Sequence, residues 1–109
     1  MVAVAQQSQG MTTDETRIVS VDFSDLLDSG ETLTGAPTVQ HGTGITVSSE
    51  TINSAEVTVN DEAVAIGKAV QFVIVASASG RYLLEVLCST SAGQTLEGRC
   101  TLDVSASRF

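Results

Sequence analysis

The sequence predicts an all-β fold, an immunoglobulin-like sandwich of two sheets built from about seven or eight short antiparallel strands. Val, Thr and Ser abound, and β-branched side chains pack well on a pleated surface. From Arg17 onward, short apolar runs alternate with turn residues, and no segment has the pattern of a helix of ordinary length. The Cys–Trp–Cys signature of antibody domains is missing because the chain has no Trp. A small open barrel is the alternative architecture.

The chain is predicted to form one domain, because its 109 residues suffice for a single core. Residues 1–16 have no useful period and are rich in Gln, Ser and Thr, which predicts a flexible N-terminal arm. The alternative is an arm that becomes ordered on a neighbouring subunit. Residues 17–109 are predicted to form the sandwich domain.

The first half of the sandwich is predicted to contain three strands and a hairpin. The strands are Ile18–Phe23, Pro37–Gln40 and Ile45–Ser49, and Pro37 suits the beginning of a strand because it has no N–H to donate. A hairpin of residues 55–60 and 63–66 turns at Asn-Asp-Glu, since Asn and Asp tolerate the left-handed backbone of tight turns.

The second half begins with the most apolar segment, Ala69–Ala76, which has apolar residues on both faces. Such a strand is predicted to be central in its sheet or covered on its outer face by a partner. Tyr82–Thr90 and Thr95–Ser105 then predict a long hairpin, with Cys88 and Cys100 among its inward residues.

The acidic balance excludes several classes of partner. The net charge is −8 at pH 7, with only five Lys and Arg. Nucleic-acid binding and adsorption to anionic membranes both need clustered cations, so neither is predicted. No apolar run is long enough to span a bilayer, and the N-terminus lacks the basic and apolar regions of a secretory signal. We therefore expect synthesis in a reducing cytoplasm, where a structural disulfide is disfavoured.

Four acids are spaced three residues apart near the first strand, and they raise the question of a metal or catalytic site. They are Asp22, Asp25, Asp28 and Glu31. A calcium loop of the EF-hand type needs ligands at alternate positions, and this spacing does not match it. No His, Lys or nucleophile in the segment completes an acid–base mechanism. The acids are interpreted as a solvated surface.

The same segment predicts a structural corner at the end of the first strand. Ser24 or Asp25 can cap a short helical turn, and Gly30 suits a left-handed exit from it. Phe23, Leu26 and Leu27 would then close the end of the sandwich core.

The remaining reactive residues do not predict an enzyme. Cys88 and Cys100 lack the second ligand pair of a zinc site and are interpreted as buried core thiols, with a cross-strand disulfide as the alternative. His41, the only histidine, lies in a Gly-rich turn. No catalytic residue, cofactor or metal is predicted, and the chain is interpreted as a binding or structural module.

Three segments resemble motifs of small virion proteins of tailed bacteriophages, known as phage fiber–tail adaptor proteins. They are Asp-Phe-Ser-Asp-Leu-Leu…Ser-Gly-Glu-Thr-Leu-Thr at 22–34, Lys-Ala-Val-Gln-Phe at 68–72, and Tyr82 followed by Ser-Ala-Gly-Gln-Thr-Leu-Glu at 91–97. The similarity spans residues 17–105. Phe23 and Leu26 stand where that family often has Trp, and Ser-Ala-Ser-Gly at 77–80 replaces a Gly-Gly.

The resemblance implies an immunoglobulin-like fold and a non-enzymatic role in the virion. It implies an adaptor that attaches tail fibres to the tail or neck, assembled in the host cytoplasm in several copies around the tail axis. The expected partners are other virion proteins, with no nucleic acid and no membrane. A capsid decoration protein is the alternative. A carbohydrate-binding or adhesin module is a weaker one, because the chain has few aromatic residues.

Overall fold

The computed structural model describes residues 5–59 and 61–106, and it confirms the all-β sandwich. Its described residues form nine strands and one turn of 3-10 helix, Ser24–Leu26. The strands are β1 (Ala5–Thr12), β2 (Thr16–Asp22), β3 (Leu33–Gln40), β4 (Ile45–Ile52), β5 (Val57–Val59), β6 (Glu62–Val64), β7 (Ala69–Ala76), β8 (Gly80–Thr90) and β9 (Thr95–Ser105).

Two sheets form the sandwich, and except for β1 their strand orders follow the immunoglobulin arrangement. One sheet has the order β1-β9-β8-β3 and the other β2-β7-β4, while β5 and β6 form a separate hairpin. When the β5–β6 hairpin is left out of the count, β7, β8 and β9 are the fifth, sixth and seventh strands. The immunoglobulin scheme places the second, fifth and fourth strands in one sheet, which corresponds to β2-β7-β4. It places the third, sixth and seventh in the other, which corresponds to β3-β8-β9. The prediction that the apolar strand β7 is central is confirmed.

The N-terminal segment differs from the predicted arm. Residues 5–12 form β1, which pairs in parallel with β9 in a register that runs from Ala5↔Gly98 to Thr12↔Ser105. The sandwich therefore begins before Arg17, and its sheets are not wholly antiparallel. A main-chain ladder needs no apolar alternation, so the polar sequence of β1 gave no strand pattern. The arm interpretation for residues 1–4 lies outside the described residues.

Several strands also begin or end at residues other than the predicted ones. β3 begins at Leu33, before Pro37, and its register with β8 shifts between Thr34 and Thr38. β4 continues to Ile52 with a shift between Ser48 and Thr51. These bulges interrupt the two-residue alternation from which strand ends were predicted.

The core lies between the two sheets and is filled by the inward residues of their strands. On the last hairpin the predicted inward side chains are buried, except Tyr82, which is partly exposed. The largest side chains with almost no exposure are Phe23, Phe72, Ile74, Leu84 and Leu102. Phe23 approaches β9 so closely that a Cβ at Gly98 would lie 2.7 Å from its Cζ.

Tyr82, at the start of β8, closes the end of the sandwich opposite the corner. Its hydroxyl donates a 2.7 Å hydrogen bond to the carbonyl of Ala78, four residues earlier. This is the geometry of the tyrosine corner found in immunoglobulin domains. Gly44 lies beneath the ring with φ 101°, and a Cβ there would be 2.6 Å from the Tyr82 hydroxyl oxygen.

Candidate functional site

The segment that begins at Asp22 forms a corner between β2 and β3. Phe23 is fully buried, and Leu26 and Leu27 are partly buried against the core cluster, so the three apolar residues close this end as the sequence predicts. Gly30 has φ 80°, the left-handed exit that was expected of it.

Neither predicted side chain caps the short helical turn, and Asp22 bonds to its first residue instead. The Asp22 carboxylate accepts hydrogen bonds from the backbone N–H of Ser24 at 2.8 Å and from the Ser24 hydroxyl at 2.5 Å. Neither Ser24 nor Asp25 provides the cap, because the turn begins one residue earlier than the sequence pattern suggested and Phe23 occupies the cap position. The Asp22 side chain accepts a hydrogen bond from the backbone N–H two residues further on, as in an Asx turn.

Glu31 is buried, so its interpretation as part of a solvated acidic surface is wrong. Its carboxylate accepts a 2.5 Å hydrogen bond from the Thr90 hydroxyl and a 2.9 Å bond from the Asp28 backbone N–H. These two bonds, that from Thr90 first, hold the pKa of Glu31 below its ordinary value despite burial. Asp25 and Asp28 are exposed, as predicted.

Thr90 joins the corner to the turn between β8 and β9. Its hydroxyl oxygen also accepts hydrogen bonds from the backbone N–H groups of Ala92 at 3.3 Å and Gln94 at 3.1 Å. Two further bonds link the same segments: Thr32 N–H donates to the Ser91 hydroxyl at 3.0 Å, and Ser91 N–H donates to the Thr32 carbonyl at 2.8 Å. The corner and this turn therefore form one hydrogen-bonded unit.

The segment before β7 completes the unit. The backbone N–H of Phe23 donates to the carbonyl of Lys68 at 2.9 Å, and that of Leu33 donates to the carbonyl of Gly67 at 2.8 Å. Segments that lie far apart in the sequence thus meet at one end of the sandwich. We call this end, made of residues 22–34, 67–69 and 90–94, the joined end.

Asn53, which sequence reasoning missed, fixes the β5–β6 hairpin to the joined end. Its side chain is 2% exposed. Its Oδ1 accepts from the backbone N–H groups of Gly67, Lys68 and Ala69 at 3.0–3.1 Å. Its Nδ2 donates to the carbonyls of Ala55 and Ala65 at 3.0 and 2.9 Å. Its position between the end of β4 and a turn was the available signal.

The two cysteines are core residues that do not face each other. Cys88 is opposite Leu96 in the hairpin, and Cys100 is opposite Leu84, so four residues of strand separate them. That separation is roughly 13 Å at the rise of a β-strand, well beyond the span of a disulfide. Burial raises the pKa of Cys88, and it raises that of Cys100 to about 11. Both are therefore protonated, weakly reactive thiols at neutral pH.

His41 lies exposed in the turn after β3, with its Nδ1 2.8 Å from the Gly42 carbonyl oxygen. Among residues 5–59 and 61–106, no three His, Cys, Asp or Glu side chains are grouped closely enough to hold a metal ion. In the same residues no helix is long and apolar enough to cross a membrane.

Comparisons with known proteins show low similarity. No protein-family model and no curated protein matches the chain. Among solved structures, it is similar to a cysteine protease inhibitor of Entamoeba histolytica (TM-score 0.47, 8% identity), with 95% of this chain and 97% of that chain covered. It is also similar to a 2,6-sialyltransferase of Photobacterium sp. (TM-score 0.43, 11% identity), with 96% of this chain and 18% of that one covered. At these TM-scores neither similarity bears on what the chain binds.

Proposed function

We propose that the protein is a non-enzymatic structural component of a tailed-bacteriophage virion, an adaptor that attaches fibres to the tail or neck. The observation that carries the proposal is the joined end. The three segments that resemble adaptor motifs supply its parts, and Glu31–Thr90, Thr32–Ser91 and Phe23–Lys68 connect them.

The meeting of the three segments at the joined end supports the resemblance, because hydrogen bonding among them explains why the three motifs occur together. Residue patterns that arise by chance have no reason to contact one another. Here a carboxylate in the first segment accepts from the Thr90 hydroxyl directly before the third, a backbone N–H of the first donates to the Ser91 hydroxyl of the third, and backbone N–H groups of the first donate to carbonyls at or directly before the start of the second. The polar groups of the first segment therefore depend on hydroxyls at Thr90 and Ser91, at the start of the last turn.

A binding role also fits the surface. Ile18 is 70% exposed and Val75 43% exposed on the outer face of the β2-β7-β4 sheet, where Val73 lies between them. The thiols, by contrast, are buried and protonated, which leaves them unsuited to nucleophilic catalysis. Contacts with other proteins, through sheet edges and exposed faces, are the mode of action that we propose.

The test is to locate the protein in a virion that carries it. Particles grown without the gene, with and without a complementing copy, are imaged by electron microscopy. We expect normal heads and tails that lack fibres, and complementation should restore the fibres. In complete particles we expect a few copies grouped at the tail or neck, in keeping with the symmetry of the tail.

Two results would overturn this assignment. Copies spread over the capsid lattice, together with heads that become fragile without the gene, would identify a decoration protein instead. Particles that are indistinguishable with and without the gene, and that contain none of the protein, would exclude a virion role.

A further inference from the structure

The first strand of the sandwich pairs with the last strand through a main-chain ladder. β1 has the sequence AQQSQGMT, in which Ala5 and Met11 are the only apolar side chains. It lies at the edge of its sheet and pairs with β9 through a parallel ladder from Ala5↔Gly98 to Thr12↔Ser105. Met11 is 5% exposed and belongs to the core cluster, opposite Val104.

The other edge strands each contribute two or more apolar side chains to the core or its margin. β2 contributes Val19 and Val21, β3 contributes Leu33 and the partly buried Val39, and β4 contributes Ile45 with the partly buried Val47 and Ile52. Each of these strands also continues into further strands at both of its ends. In the described part of the chain, residues 13–15 are the connection that joins β1 to the other strands.

That connection is short and is closed by one carboxylate. Glu15 accepts a 2.8 Å hydrogen bond from the Thr12 backbone N–H, and its own N–H donates to the Thr12 carbonyl at 3.2 Å. The Glu15 carboxylate also forms an ion pair with Arg17. The bonds between Thr12 and Glu15 exist only while the chain turns back between β1 and β2.

We propose that β1 is an exchangeable strand, which leaves the β9 of its own chain and pairs in the same register with the β9 of a second copy. A main-chain ladder is the same whichever molecule supplies the strand, and Met11 finds the same pocket in either case. The bonds lost and gained are therefore equivalent except at residues 13–15, where the closed turn becomes an extended link.

The shortness of the link favours exchange over simple detachment. A three-residue connection that must change sheets is the type of hinge that promotes domain swapping. Detachment alone would leave the edge of β9 unpaired and the pocket of Met11 empty, while exchange fills both. Reciprocal exchange gives a dimer, and head-to-tail exchange gives a ring where the rotation between copies closes and an open filament where it does not. The inference goes beyond the proposed function and does not depend on it, because purified protein suffices to test it.

The decisive experiment traps the intermolecular pair. Two single variants, Thr12→Cys and Ser105→Cys, are mixed, warmed close to the unfolding midpoint, cooled and oxidised. These positions are register partners of β1 and β9 and are not buried, whereas the native thiols are buried. The matched control mixes Thr12→Cys with Thr95→Cys, an exposed position at the far end of β9. We expect at least a tenfold excess of the disulfide-linked heterodimer in the first mixture.

Equal yields in the two mixtures, or no heterodimer in either at the highest soluble concentration, would overturn the proposal.

A second experiment tests the turn formed by residues 13–15. Glu15→Ala removes a hydrogen bond that only the closed turn makes, so it should raise the exchanged fraction about fivefold per hinge, as expected for one net hydrogen bond. Asp14→Ala removes the same charge from an exposed neighbour and should leave the fraction unchanged. An equal effect of both variants in light scattering would indicate general charge repulsion and contradict the hinge mechanism.

Discussion

The Glu31 carboxylate accepts a 2.5 Å hydrogen bond from the hydroxyl of Thr90, a residue 59 positions away along the chain. Both side chains are buried, and the bond joins the corner after β2 to the last turn of the sandwich. Glu31, which the sequence analysis placed on a solvated surface, is thus a buried hydrogen-bond acceptor that holds these two segments together.

Thr90→Val should destabilise the protein, because it keeps the shape of the side chain and removes the hydroxyl that serves Glu31, Ala92 and Gln94. We expect the Tm to fall by at least about 4–8 °C, the shift that a ~100-residue domain shows for the loss of a single net hydrogen bond. Thr95→Val, at an exposed position, is the matched control. Equal Tm values for the two variants in calorimetry would contradict a role for the Thr90 hydroxyl.

The stability of the wild type should depend on pH through Glu31. Its pKa is lowered in the folded protein, so the unfolded chain takes up the proton more readily. The contribution is present above the ordinary pKa of 4.5 and is lost as the pH falls through the lower folded value. Denaturant unfolding of wild type and Glu31→Gln should therefore differ at pH 7 and converge in strong acid. A difference that persists undiminished would show that another interaction causes it.

Asn53→Ala should be among the most destabilising single substitutions in the chain. It leaves three backbone N–H groups and two carbonyls without the partner that Asn53 supplies. We expect a loss of about 2–4 kcal/mol in the free energy of unfolding. Ser54→Ala, at the exposed neighbouring residue, should change stability by less than about 0.5 kcal/mol. If urea melts of the two variants coincide, Asn53 does not hold the hairpin in place.

Gly98→Ala should overpack the core. The added Cβ would meet Phe23 Cζ at 2.7 Å and Val21 Cγ1 at 3.1 Å, so the second sheet would have to shift. The expected cost is about 1–3 kcal/mol in the free energy of unfolding. Gly10→Ala meets no atom within 4 Å and provides the control. A Gly98→Ala variant as stable as the wild type would mean that Phe23 can move aside freely.

Neither thiol should react with a disulfide reagent such as DTNB while the protein is folded. Burial shields both sulfurs and raises the pKa of Cys100 to about 11, so little thiolate is present at pH 8. Unfolding in guanidinium should release two reactive thiols. Mild oxidation of the folded protein should leave both cysteines free, and an intramolecular disulfide found by mass spectrometry would contradict the register of the last hairpin.

How far the sequence predicts this molecule depends on which interactions the residues use. β7 and the last hairpin follow from apolar alternation, which burial imposes directly, and both were predicted almost to the residue. β1 escaped prediction because a main-chain ladder leaves no side-chain pattern. The joined end was visible only in part. Phe23 and Gly30 have local signatures, but the roles of Glu31 and Asn53 depend on partners that tertiary folding brings to them.

The pairing of β1 with β9 has a consequence for synthesis on the ribosome. β1 is translated before β9, and the other strands are made in between. Until Ser105 has left the exit tunnel, β1 has no β9 to pair with in its own chain, and the β9 of a folded copy is already paired with a β1. The order of translation therefore leaves β1 unpaired while the rest of the sandwich is made.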